Sequence, residues 1–186
     1  MNIVQLSKEL MKKQTEENKS PSWLLTELAI KKGKELSKKH NVEERLVLTS
    51  LYLAHIIFSP IWNGDIQKNH PKLSADFAKP FLEKWNVNKE DQKIIINSIE
   101  AHHNKISTKS KVAEIMKNAE CFKFATVEGS LIWLHELGIR KIPFNEAKDK
   151  VIQKMEQKIK LLTLNDCKKE AKQNCDKILK IFNNFV

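Results

Sequence analysis

Four of the six histidines in this 186-residue chain stand where apolar elements run, begin or end. His55 lies inside LYLAHIIF, His70 is followed by Pro71, and His102-His103 closes the run IIINSIEAHH. Neutral imidazole is the commonest protein ligand for zinc, iron and nickel, and carboxylates complete such sites. Glu120 stands one turn beyond Met116 in a later apolar segment. One histidine on an apolar face is more often a core residue with a single hydrogen bond, at odds of roughly two in three. Four of them point to a shared, buried site. The adjacent pair leaves open whether His102 or His103 faces inward. Cys121, Cys167 and Cys175 show no CxxC or zinc-finger spacing. Cys167, Ala171 and Cys175 follow at i+4, so the thiols read as small apolar residues with no chemistry.

The elements that must position these residues are helices. Only 4 Gly and 5 Pro punctuate the chain, and alternating runs of Val, Thr and aromatic residues are missing, which excludes a turn-rich β fold. The expected class is all-α, a bundle of roughly eight or nine helices. A short amphipathic segment in residues 3 to 18 is broken at Ser20-Pro21, and a second helix carries Leu25, Leu28, Ala29 and Leu36 inward. Asn41 with Glu44 three residues later reads as an N-cap and capping box. It opens a helix over about 42 to 58 that is apolar on nearly every side and therefore central. Ser59 to Asp65 reads as a loop, closed by His70-Pro71 before a helix with Leu73, Phe77, Phe81 and Trp85 at i+4 spacing. Asn88 caps the next helix, whose stripe of Ile95 and Ile99 runs onto His102-His103. Ser110 begins the helix that holds Glu120. Gly129 and Gly138 bracket a short apolar helix containing Trp133, and two i+4 ladders form a C-terminal hairpin over residues 144 to 186. With no linker or repeat, the expectation is one domain over 1 to 186 with an N-terminal helical extension over 1 to 20.

Composition narrows the partners. The longest apolar stretch, residues 51 to 58, is far short of the ~20 a membrane span needs, and the charged start has no secretory h-region. A cytoplasmic protein with no membrane partner is expected. The net charge of +10 admits nucleic acid or a phosphorylated small molecule as partner. The basic residues are nearly all lysines alternating with acids, without interleaved aromatics, so nucleic acid is the lesser expectation.

The order of these stretches resembles the HD-domain phosphohydrolases. LYLAHIIF, HPKLSADFAKPFLEKW, IIINSIEAHHN and NAECFKF follow the family's run of a helix ending in His-Asp, a His-Pro-x-x-Ser segment, a helix ending in Ile-x-x-His-His, and a late Ala-Asp. The resemblance spans roughly residues 22 to 125. It implies an HD-like fold and a divalent metal (Mn, Fe, Ni, Zn or Mg) held by His55, His70, His102 or His103, and Glu120. It also implies departures. Ile56 stands where the Asp of the His-Asp pair belongs, Leu25 or a neighbour stands where the first His belongs, and Glu120 replaces the closing Asp. Asp65 is a substitute carboxylate of low weight. The implied function is a phosphohydrolase-like protein with a degenerate metal site, binding a nucleotide or other phosphoester with weak or no turnover. An active divalent-metal phosphohydrolase and a basic nucleic-acid-binding helical protein are the alternatives.

Overall fold

Helix boundaries here are set by a few polar side chains. In the computed structural model, which describes residues 2–18, 21–57, 64–103 and 106–184, α1 runs over Ile3–Asn18 and α2 over Trp23–Lys39. Ser22 accepts the Leu25 N–H to start α2. Asn41, expected to begin the next helix, ends α2 instead. It takes a left-handed φ of 50°, and Val42 N–H returns to the Ser37 carbonyl at 2.9 Å. Asn tolerates this conformation as readily as it caps, so sequence alone does not separate the two uses. The helix α3 (Glu44–Leu53) has Glu43 as its N-cap residue, without a side-chain cap bond. Arg45 binds both Glu43 and, at 2.7 Å, Asp91.

The chain forms two compact units, Met1–Glu120 and Cys121–Val186. In the first, every residue of α3 from Leu46 to Leu53 is buried, and α1, α2, α4 and α5 all pack on it. The expected central helix is present but ends at Leu53. Residues 54–57 form turns, and Phe58 and the expected breaker loop of Ser59 to Asn63 lie outside the described residues. Gly33 of α2 lets α3 approach closely, because a Cβ there would stand 2.7 Å from Leu51 Cδ1.

The helix α4 spans Gly64–Lys84 and continues through Pro71 and Pro80, where the sequence predicts a loop up to His70-Pro71. An interior proline costs about 3 kcal/mol. Burial of His70, Ser74, Ala75, Ala78 and Leu82 along one face offsets it. The aromatic ladder Phe77, Phe81 and Trp85 lies half-buried beside that face, with successive ring centroids 5.2 and 5.8 Å apart. Asn88 accepts the Asp91 N–H at 2.9 Å and opens α5 (Lys89–Ala101), as the sequence predicts. Ser110 does the same from Ala113 N–H for α6 (Lys111–Phe122).

The second unit holds a 3-10 turn (Lys123–Ala125), α7 (Val127–Ile139), α8 (Phe144–Ile159) and α9 (Asn165–Asn183). Thr126 caps α7 through Gly129 N–H. Gly129 and Gly138 therefore lie inside this helix and do not bracket it. A Cβ at 129 would meet the Lys123 carbonyl oxygen at 1.9 Å, so only glycine fits the cap. Leu137, Ala147, Val151, Met155, Ile178 and Phe182 form the core of this unit. Cys121, Cys167 and Cys175 form no disulfide, and burial pushes the thiol of Cys175 up. The described residues thus comprise nine α-helices and no strand, and none of these helices is long and apolar enough to cross a membrane.

Candidate metal centre

Four helical elements of the first unit bring polar side chains to one place. His55 follows α3 in a turn, and that turn is tied to α4 because Ile57 N–H donates to Ser74 Oγ at 3.4 Å. His70 comes from α4, His102 is the C-cap residue of α5, and Glu120 lies near the end of α6. His70, His102 and Glu120 are buried, at 2%, 0% and 1% exposure, while His55 and His103 are half-buried. After His103 the chain is held by Asn97, which donates to the Ser107 carbonyl and accepts the Lys109 N–H.

The rings converge. His55 stacks on His70 with centroids 4.9 Å apart and meets His102 edge-on at 5.0 Å. His103 sits 4.7 Å from His70 and 4.3 Å from His102. His55, His70 and His102 each offer a ligand atom within 4.8 Å of the others. His55 Nε2 is 2.8 Å from Glu120 Oε1, a carboxylate contact reaching across 65 positions of sequence.

Proton positions follow from the partners. His102 Nδ1 bonds the Ile99 carbonyl, which can only accept, so Nδ1 carries the hydrogen and Nε2 presents its lone pair. That lone pair faces His70 Nε2 at 3.2 Å. Two nitrogens ~2.0–2.1 Å from a shared tetrahedral ion stand roughly 3.3 Å apart. The observed spacing suits two ligands on one divalent ion as well as an N–H···N hydrogen bond between the rings. Anchoring the far nitrogen of an imidazole on a carbonyl is the usual way its ligating nitrogen is aimed. The three imidazoles suit a divalent transition ion, and Glu120 stands behind them on His55.

All five sequence candidates meet at this place, with His102 the more deeply buried of the pair. Ile56 is buried at 2% exposure and apolar, and Leu25 is a buried residue of α2, so neither offers a ligand atom. Asp65 lies in the first turn of α4 and not in a loop; its side chain is outside those described. Two positioning groups escape sequence reading. The Ile99 carbonyl leaves no signal in side-chain patterns. Ser74 leaves one: it stands at i+4 from His70 on the same helix face.

Comparison with protein-family profiles gives no match, and no curated protein matches either. Solved structures do. A crystal structure of an HD-superfamily hydrolase from Bacillus thuringiensis superposes with a TM-score of 0.69 at 15% identity, covering 98% of this chain and 94% of that one. A crystal structure of a Lactobacillus plantarum protein gives 0.69 at 13% identity, with 99% and 93% covered. The helices that carry the histidines are thus arranged in the fold that these two structures share.

Proposed function

We propose that this chain is an HD-superfamily hydrolase-like protein that holds one divalent metal on His55, His70, His102 and Glu120 and binds a nucleotide or other phosphoester with weak or no turnover. The observation that carries the reading is the 3.2 Å approach of two imidazole nitrogens, one of them aimed by the Ile99 carbonyl. Buried imidazoles without a common purpose would be costly, since an unsatisfied buried polar group costs about 1–3 kcal/mol. A bound divalent ion supplies Lewis-acid polarisation of a phosphoryl oxygen and water activation.

The chain's own residues do the rest. Glu120 provides negative charge beside His55, Ile99 fixes the His102 tautomer, and half-buried His103 is placed to hydrogen-bond a phosphoryl oxygen. Ile56 removes the carboxylate that the HD resemblance would use to bridge two metals, which is the reason for expecting weak turnover. An active phosphohydrolase is the second reading, favoured by the retained Glu120.

Metal analysis of the purified chain tests this, together with melting in added Mn, Fe, Ni or Zn and a phosphoester screen. About one metal per chain and a melting temperature that rises with added metal are expected. Both responses are lost in His55→Ala and His102→Ala. Native protein that carries no metal and gains no thermal stability from any of the four ions would defeat the proposal. Robust metal-dependent turnover would favour the second reading.

A further inference from the structure

The sequence of α7, VEGSLIWLHELGI, is apolar on almost every side. A helix of that kind is expected to be buried all round. Only Gly129, Ser130 and Leu137 are buried along it, while Leu131 is 47% and Ile139 68% exposed. Leu131, His135, Gly138 and Ile139 share one helix face, and all four are exposed.

Neither the backbone nor its own unit requires glycine at 138. No glycine among the described residues has a positive φ, and a Cβ at 138 would meet nothing within 4 Å. Three residues on, Lys141 occupies the left-handed region at φ 60°, where glycine would relieve strain. The bare backbone thus stands on the exposed stripe, where it allows a second helix to come close. A cation stands where glycine would be easier. At the other end of α7, Glu128 is exposed too. Among the described residues, neither Glu128 nor Lys141 forms an ion pair.

We infer that this face of α7 is a self-association surface, occupied by the same face of a second copy of the chain in an antiparallel pair. With the two-fold axis between Leu134 and His135, Leu131 of each copy faces Gly138 of the other and Glu128 faces Lys141. Ile139, 68% exposed, extends the contacting stripe. Charge complementarity selects this arrangement, because a parallel pair would set Glu128 against Glu128. A closed two-fold pairing of one patch on itself is the commonest homo-oligomer.

Sedimentation of the full chain over about a hundredfold range of concentration tests the inference. A concentration-dependent dimer is expected. Ile139→Glu and Glu128→Lys each weaken it by about tenfold or more, and Glu128→Lys combined with Lys141→Glu restores it. Gly138→Leu weakens the dimer while holding or raising the melting temperature, since leucine is the better helix former and has room within its own chain. That opposition separates lost association from lost folding. A chain that stays monomeric throughout overturns the inference, as does a dimer indifferent to these substitutions or one that the charge exchange fails to restore.

Discussion

At 3.2 Å the Nε2 atoms of His70 and His102 cannot both carry hydrogens without repulsion, so one proton lies between them or an ion replaces it. Beside it, Ile56 is 2% exposed, with its N–H on the Leu53 carbonyl. Ile56→Asp would bury a carboxylate and remove a core side chain, lowering the stability of metal-stripped protein by about 3 kcal/mol or more. If the position follows the HD register, divalent metal recovers much of that loss. The expected outcome is a lower melting temperature without metal and a larger metal-induced rise than in the native chain. Thermal melts with and without chelator check it, and a uniform loss would mean the residue points away from the ion. His55, His70 and the histidine pair were legible from order and spacing alone. The contact of His55 with Glu120 was not, because it joins residues 65 positions apart through tertiary packing.

The elements show which local signals decide and which are overruled. Asn88 and Asn41 look alike in sequence, each ahead of an acidic first turn, yet one caps a helix and the other ends one. Asn88→Ala should lower stability by about 1 kcal/mol. Asn41→Gly should leave it unchanged or raise it slightly, because φ of 50° is free for glycine. Denaturant midpoints of the two variants check both, and a loss of about 1 kcal/mol in Asn41→Gly would restore the capping role. The continuity of α4 through His70-Pro71 was illegible for another reason. Proline signals a local penalty, and the packing that outweighs it, on Ser74, Ala75, Ala78 and Leu82, is visible only once the chain has folded. The all-helical class was plain because no competing signal was present.

Across the whole molecule, all but Arg45 and Arg140 of the 33 basic residues are lysines, and several are paired with acids one turn away. Such surface pairs contribute little and are screened by salt. Binding to DNA or RNA is therefore expected to be weak. Titrations at two salt concentrations check this, and tight binding with a steep salt slope would favour the nucleic-acid reading. Alkali gives a second test. Burial, and then the charge of Glu27, push Tyr52 up to about 12, against about 10 for an unfolded tyrosine. The unfolded chain releases that proton first, so Tyr52's contribution to stability is kept below about pH 10 and lost as the pH rises to about 12. Denaturant midpoints across that window should fall less steeply in Tyr52→Phe. The close seat of α3 on Gly33 has a consequence at a distance. Leu51, which a Cβ at 33 would strike, lies one turn ahead of His55. If the proposed metal is held there, adding a single methyl with Gly33→Ala should therefore detune its affinity from a distance, making the interval between two helices a calibration of the site.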